Sequence, residues 1–142
     1  MKRGLLVLDT NVISEMMKLQ ADAAVLAWFL QNPHIDFATT AISQAEILTG
    51  LALLPEGKRK RGMLAAAAAI WEIDLKHAVL PFDSSCTNAF AHILKSRAAL
   101  GKPIGVADAA IAAICAAQKA TIVTRNSAGF VGTGIKVINP WA

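Results

Sequence analysis

The chain has 142 residues, of which 55% are hydrophobic and 17% are charged, and its mean hydropathy is +0.48. This composition excludes intrinsic disorder, because ample apolar surface is available to offset the entropy of the chain. The formal net charge of +4 allows a polyanionic partner without requiring one. We predict a single domain over residues 1–142.

No segment of the sequence predicts a membrane span or a secretory leader. The longest uncharged apolar runs, 63–71 and 109–117, are shorter than the ~18 residues that a span needs. The apolar run after Lys2 and Arg3 ends at Asp9, before it reaches the roughly 7 residues of the shortest hydrophobic region in a secretory leader. Two cysteines make no disulfide framework. We therefore expect a cytoplasmic protein with no membrane partner.

Strands and helices are predicted to alternate along the chain. Short apolar or β-branched runs predict strands at 4–8, 35–38, 78–82, 121–124 and 135–138. Apolar spacing, caps and turn signals predict helices at 11–18, 22–30, 40–54, 58–72, 84–100 and 106–118. This alternation implies right-handed crossovers. The predicted fold is α/β, a three-layer α/β/α domain with a mostly parallel sheet of about five strands.

Three acids stand at positions that such a sheet brings to one edge. Asp9 closes the first predicted strand, while Glu46 and Asp108 lie in the first turns of two predicted helices. Strand ends and the starts of the following helices meet at the same edge, so we expect the three carboxylates to converge. Taken singly, each has a structural alternative. Asp9 can cap a helix, Asp108 can complement a helix dipole, and Glu46 can complete a capping box with Ser43.

A divalent cation is the usual answer to clustered carboxylates. The acids repel one another, and Asp108 lies in an otherwise apolar stretch that disfavours its charged form. Oxygen ligands without paired histidines or cysteines select Mg²⁺ or Mn²⁺ rather than zinc. A carboxylate-held ion of this kind activates water and neutralises charge on a phosphate. The residues therefore point to phosphodiester hydrolysis.

Four segments in a fixed order span nearly the whole chain: Leu-Asp-Thr-Asn-Val-Ile-Ser at 8–14, Ser-Gln-Ala-Glu-Ile at 43–47, Val-Ala-Asp-Ala-Ala-Ile-Ala at 106–112, and Thr-Arg-Asn at 124–126. Asn-Pro-Trp closes the chain at 139–141. Together they resemble the PIN-domain ribonucleases of the VapC and FitB toxin type. The resemblance implies a Mg²⁺- or Mn²⁺-dependent endoribonuclease acting on RNA, with Asp9, Glu46 and Asp108 as its metal-binding and catalytic acids.

The same resemblance implies partner proteins, and the chain departs from the family's pattern at the position of a fourth acid. Such a toxin pairs with a cognate antitoxin protein in a type II toxin–antitoxin system and forms a homodimer or a higher toxin–antitoxin assembly. Relatives carry a fourth acid where this chain has Asn126 or Gly129. A neutral amide adds no charge to a metal site, so we expect one strong site, with any second ion arriving with RNA.

Other polar and basic residues are given supporting roles. Residues predicted to orient water or substrate, although capping explains several of them nearly as well, are Thr10, Asn11, Ser14, Thr124 and Asn126. Candidates for binding RNA phosphates are Arg125 and the basic run Lys58, Arg59, Lys60 and Arg61. The alternative for the basic run is a solvated loop between two helices. The histidines stand apart and are given no metal role.

The first helices are more apolar than one buried face requires. Met16, Met17 and Leu19 suit a partner helix, whereas Trp28 and Phe29 are expected to pack in the core. Three rival functions stay open. They are a PIN-like module that binds RNA or protein without cutting, a haloacid-dehalogenase-type phosphotransferase, and a response-regulator receiver. The phosphotransferase needs an aspartate where Asn11 stands, and the receiver needs a lysine after a late strand.

Overall fold

The computed structural model describes residues 4–33 and 35–142, so the predictions that involve Lys2, Arg3 and His34 fall outside the described residues. Five short strands are β1 (Leu6–Leu8), β2 (Phe37–Thr40), β3 (Val79–Leu80), β4 (Thr121–Val123) and β5 (Val137–Ile138). They form one sheet in the order β3-β2-β1-β4-β5. All four strand pairings in the described part of the chain are parallel. The predicted parallel sheet is confirmed.

The helices are α1 (Thr10–Met16), α2 (Ala23–Leu30), α3 (Ala41–Ala52), α4 (Lys58–Ala69), α5 (Thr87–Ala99) and α6 (Val106–Gln118). The prediction for α6 has the observed bounds, whereas that for α4 runs past the helix end, because residues Ile70–Asp74 form a π-helical turn. Short 3₁₀ turns at Ser84–Cys86 and Ser127–Phe130 precede α5 and follow β4. No helix among residues 4–33 and 35–142 is long and apolar enough to cross a membrane.

Alternate strand residues face two separate apolar layers. Val7 and Ile122 contact a cluster built largely from the fully buried alanines and isoleucines of α6, with Ile93 of α5. Leu8 and Val123 contact the other cluster, which α1, α3 and α4 cover. Because one helix layer packs on each face, the sheet is buried on both sides. The structure thus confirms the three-layer α/β/α arrangement.

The second strand starts later than predicted. The sequence predicts it at 35–38, but β2 is Phe37–Thr40, and its two threonines are fully buried. The Thr39 hydroxyl donates to the backbone oxygen of Leu8 at 2.7 Å, which links β2 to the end of β1. A short polar side chain can be buried where it finds such an acceptor, and apolar character alone did not reveal this.

The aromatic residues of α2 belong to the core, as predicted. The rings of Trp28, Phe29 and Phe37 lie with centroids 5.1, 5.3 and 5.7 Å apart and pack against the cluster beneath α1, α3 and α4. Met16 and Met17, which the sequence assigns to a partner surface, are partly buried against the same cluster. Leu19 is fully exposed.

Candidate active site

The sheet order creates a crevice at the carboxyl ends of β1 and β4. Consecutive strands run outward from β1 to β3 on one side, and β4 and β5 lie on the other, so the connection direction reverses between β1 and β4. Ligands of open parallel sheets bind at such a switch point. Asp9 follows β1 there, and its N–H donates to the Val123 oxygen of β4 at 2.9 Å. The backbone ladder thereby places Asp9 at the crevice.

The carboxylate of Asp9 is almost completely buried, with only 4% of the residue exposed. Its Oδ1 accepts the Thr10 N–H at 2.8 Å, so Asp9 does cap α1 as predicted. Its Oδ2 accepts the Thr124 hydroxyl at 2.8 Å. Burial raises the pKa of Asp9, these two bonds lower it, and the charges of Asp108 and Glu46 raise it again. Within residues 4–33 and 35–142 no salt bridge to the Asp9 carboxylate accompanies the cap.

A network of polar side chains fixes the second oxygen of Asp9. The Thr124 hydroxyl, which donates to Asp9, accepts bonds from Asn11 Nδ2 at 3.1 Å and from the Asn126 N–H at 3.0 Å. Asn11 Oδ1 in turn accepts the Arg125 N–H at 3.1 Å. Thr124 is fully buried, so its donor and acceptor capacity is used within the protein. The loop after β4 is thereby tied to the start of α1.

The capping-box explanation of Glu46 is wrong. Helix α3 starts earlier than that pattern requires, because Thr40 is the cap and its hydroxyl accepts the Ser43 N–H at 3.0 Å. Ser43 is therefore buried inside the first turn. Glu46 Oε1 accepts the Thr10 hydroxyl at 2.8 Å, and that hydroxyl is also 2.9 Å from the Ser43 hydroxyl. Glu46 faces the start of α1, close to Asp9, rather than its own helix terminus.

Asp108 lies half-buried in the first turn of α6 and is not a cap. The helix cap is Gly105, which has no side-chain bond, and no hydrogen bond to the Asp108 carboxylate is present among the described residues. Burial raises the pKa of Asp108, the charge of Glu46 raises it further, and Arg97 lowers it. The dipole of α6 favours an acid at this position but does not require one that is half-buried.

The charge of Glu46 raises the pKa of both Asp9 and Asp108, and the charge of Asp108 also raises the pKa of Asp9. The three acids therefore act on one another electrostatically. As placed, no three His, Cys, Asp or Glu side chains in residues 4–33 and 35–142 lie close enough to hold one ion. The donor set still fits a hard cation, because carboxylate oxygens are the ligands that Mg²⁺ and Mn²⁺ prefer. Burial raises the pKa of the Cys115 thiol to about 12.

Of the residues predicted to orient water or substrate, four lie in the hydrogen-bond network around the acids and one lies outside it. Thr10, Asn11, Thr124 and Asn126 belong to the hydrogen-bond network around the acids, and Asn126 Oδ1 also accepts the Gly129 N–H at 3.2 Å. Ser14 is exposed on a groove of about 260 Å³ that Glu46 also lines.

The basic run is not a loop, because Lys58–Arg61 forms the first turn of α4. Within it Lys60 pairs with Glu56 at 2.6 Å, which leaves less of its charge for a ligand.

Sequence reasoning missed Arg97 as part of the site. It is 6% exposed, and its guanidinium donates to three backbone oxygens, those of Lys102 at 2.7 Å, Ala128 at 3.2 Å and Val131 at 2.7 Å. It therefore joins the loop before α6 to the 3₁₀ turn after β4, and its charge reaches Asp108. The only signal in the sequence was an arginine on a helix that buries one face.

The fold, together with the three acids at the carboxyl edge of its sheet, defines a class of protein. A family model described as PIN domain matches residues 6–133, and the chain belongs to that family. VapC ribonuclease Y4jK of Sinorhizobium fredii is 38% identical over 137 residues, which are 96% of this chain and 98% of that protein.

Toxin FitB of Neisseria gonorrhoeae is 34% identical over 96% of this chain and 99% of its own length. In a solved structure of FitAB bound to an IR36 DNA fragment, one chain is 34% identical and superposes with a TM-score of 0.86, over 96% of each chain.

Proposed function

We propose that the protein is a metal-dependent endoribonuclease that acts as the toxin of a toxin–antitoxin pair. One observation carries the proposal: the buried Asp9 carboxylate lies at the switch point of the sheet, forms no salt bridge within residues 4–33 and 35–142, and has its pKa raised by the charges of Asp108 and Glu46. Membership of the PIN family and the similarity to a VapC ribonuclease and to Toxin FitB support the choice of RNA as substrate.

In this proposal Asp9, Asp108 and Glu46 bind one Mg²⁺ or Mn²⁺ ion. When bound, such an ion supplies an activated water and neutralises charge that develops on the phosphate. Thr124 holds one oxygen of Asp9, and Thr10 holds Glu46, so each carboxylate keeps its orientation. An acid that is oriented by a buried neighbour pays less entropy when it binds a ligand.

The loop after β4 supplies the neutral and cationic groups of the proposed site. Asn126 stands where relatives carry an acid, and its side chain caps the following 3₁₀ turn instead of adding charge. This supports one strong metal site. Arg125 is exposed beside the network and is proposed to bind an RNA phosphate. Lys58, Arg59 and Arg61 on α4 are proposed as more distant phosphate contacts.

A groove of about 1170 Å³ is proposed as the antitoxin surface. Leu19, Leu26 and Phe29 line it, and Leu26 and Leu19 are among the exposed large apolar residues. The structure of FitAB shows that a relative of this chain occurs in a complex. We propose a comparable protein partner, with the chain as a homodimer or part of a higher assembly. Leu19→Asp and Leu26→Asp should abolish co-purification with the product of a neighbouring gene, and unchanged co-purification would remove this surface from consideration.

We propose that the protein is cytoplasmic. Its proposed substrate is RNA, and its two buried cysteines are free, as is typical of a reducing compartment. The rival that deserves a direct test is a PIN-like module that binds RNA or protein without cutting, because the fourth acid is missing. Asn11 makes the phosphotransferase less suitable, since its amide is committed to Thr124 and Arg125.

The deciding experiment measures cleavage of a generic single-stranded RNA by the purified protein. We expect cleavage with Mn²⁺ or Mg²⁺, none with EDTA, and a loss of at least about 10²-fold in Asp9→Asn. Lys136→Gln, which removes an exposed charge before β5 at the opposite edge, serves as the matched control. RNA binding without cleavage under all metal conditions would favour the non-cutting module. Cleavage that survives EDTA or Asp9→Asn would remove the metal mechanism.

A further inference from the structure

The turn that follows β5 places an aromatic ring against the guanidinium of Arg125. Arg125 follows β4 and Trp141 follows β5, and since these strands are adjacent and parallel, both residues lie at the carboxyl edge of the sheet. The Arg125 Cζ atom lies over the Trp141 ring, 5.2 Å from its centroid. Within about 6 Å of an indole face, a guanidinium is attracted by the quadrupole of the ring.

Trp141 is a fixed platform rather than a loose terminal residue. Its ring is partly buried against the cluster beneath α1, α3 and α4. The backbone N–H of Trp141 donates to Asn139 Oδ1 at 2.9 Å, and the backbone N–H of Thr124 donates to the Ile138 backbone oxygen at 2.9 Å. The second bond joins the end of β4 to the end of β5, so the ring and the arginine keep their relative positions.

The backbone of Arg125 is fixed by a hydrogen bond, and its guanidinium, which lies over the Trp141 ring, can still bind a ligand. Its N–H is bonded to Asn11 Oδ1, while its side chain is exposed. Among residues 4–33 and 35–142 no carboxylate pairs with the guanidinium and no hydrogen bond occupies it. Because the ring covers a face of the guanidinium, the N–H groups around its edge stay available, and these are the donors that match two phosphate oxygens.

We propose that Arg125 and Trp141 form a subsite for one phosphodiester of single-stranded RNA, in which Arg125 contacts the phosphate and Trp141 is a positioning residue. The inference deepens the proposed ribonuclease function and rests on it. Asn11 and Thr124 connect the backbone of Arg125 to Asp9, so the subsite lies on the same edge of the sheet as the acids. An arginine already stacked on a ring loses less side-chain entropy on binding RNA than a free one.

The test separates binding from cleavage by working in the Asp108→Asn protein. The readout is the Kd of a labelled single-stranded oligoribonucleotide over a range of salt concentrations, with Mn²⁺ present. We expect Arg125→Gln to weaken binding about tenfold and to reduce the slope of log K against log salt by about 0.7. We expect Trp141→Leu to weaken binding about two- to fivefold and Trp141→Phe to restore most of the loss.

The double variant distinguishes positioning from packing. If Trp141 acts through Arg125, Trp141→Leu has no further effect in the Arg125→Gln protein. Lys136→Gln is the matched control for the lost charge, and Trp71→Leu removes another tryptophan packed on the same cluster. In the protein with all three acids, Trp141→Leu should raise KM more than it lowers kcat and leave the Kd for Mn²⁺ unchanged.

Three results would overturn the subsite. The first is equal weakening by Lys136→Gln and Arg125→Gln, and the second is a Trp141→Leu effect that persists without Arg125. Unchanged RNA affinity together with lost co-purification of the protein partner would assign the pair to a protein interface instead. If the effects of the Arg125 and Trp141 substitutions are coupled as expected but the protein never cleaves RNA, the subsite stands and the proposed nuclease function fails. If the protein cleaves RNA but the two effects are not coupled, the nuclease function stands and the subsite fails.

Discussion

Replacing Asp108 with asparagine should separate a metal ligand from a structural cap. The carboxylate accepts no hydrogen bond among the described residues, and both its burial and the charge of Glu46 raise its pKa. A carboxyl group whose pKa is higher in the folded state costs stability above that pKa. Asp108→Asn removes this cost, so the metal-free variant should be equally stable or more stable at pH 7. Solvent screening of a half-exposed group limits the gain to under about 1 kcal/mol.

The effect of Mn²⁺ should run the other way. At a Mn²⁺ concentration of about 100 Kd, binding stabilises the wild-type protein by about 2.7 kcal/mol. If the variant binds Mn²⁺ about 10- to 100-fold more weakly, its stabilisation falls to between about 1.4 and 0.4 kcal/mol. Since 1 kcal/mol shifts the Tm of a protein of this size by roughly 2–4 °C, the difference is measurable in thermal melts.

The refuting result is an equal Mn²⁺ shift in wild type and Asp108→Asn. Asp108→Ala is the companion variant, because truncation of a true helix cap loses about 0.5–2 kcal/mol in the metal-free protein. A loss of that size in Asp108→Ala, combined with equal Mn²⁺ shifts, would establish the structural explanation. The wild-type melt with EDTA sets the metal-free reference for both variants.

Three further predictions concern the same edge of the sheet. Asn126→Asp should tighten Mn²⁺ binding in calorimetry, because it adds a carboxylate at the position where the resemblance to PIN-domain toxins implies a fourth acid; unchanged affinity would place the side chain outside the metal site. Because the pKa values of Asp9 and Asp108 are both raised, the metal-free protein should gain stability in urea unfolding as the pH falls from 7 toward those pKa values, and Mn²⁺ should reverse that trend; a gain on raising the pH would contradict the assignment. Arg97→Met should lose about 2–4 kcal/mol in urea unfolding, since three backbone oxygens lose their donor, and a neutral result would mean that water replaces it.

Local patterns in the sequence identified most of the fold. Alanine-rich α6 was predicted with the observed bounds from its helix propensity and from the turn signal Gly101-Lys102-Pro103 before it. In the structure Gly105 caps its start, and Lys119, in a left-handed conformation, caps its end. The placement of three acids at the edge of the sheet follows from the alternation of strands and helices, which needs no knowledge of side-chain contacts. These parts depend on spacing between near neighbours, and near-neighbour spacing is visible in a sequence.

The partners of the site residues could not be predicted in this way. Glu46 takes its hydrogen bond from Thr10, 36 positions away, and Thr124 donates to Asp9 across 115 positions. The capping-box pattern at Ser43 was present, but the helix had already begun at a buried Thr40. Such choices depend on which polar groups find partners after the layers have packed, and that information is distributed over the whole chain.

The stacked pair at the edge shows the same limit. Arg125 was chosen from the sequence for its guanidinium, whereas Trp141 entered only as part of the closing Asn-Pro-Trp segment. The sequence does not indicate that Arg125 and Trp141 contact each other, because their contact arises from the parallel pairing of β4 with β5. Strand pairing at a distance thus contributes functional detail that local motifs do not contain.

Crystals grown with Mn²⁺ test whether the three acids of this edge hold one divalent ion. We expect an anomalous scattering peak with oxygens of Asp9 and Asp108 roughly 2.0–2.6 Å away and with Glu46 completing the set directly or through water. No peak in the crevice at saturating Mn²⁺, or carboxyl groups that stay more than about 10 Å apart, would contradict it.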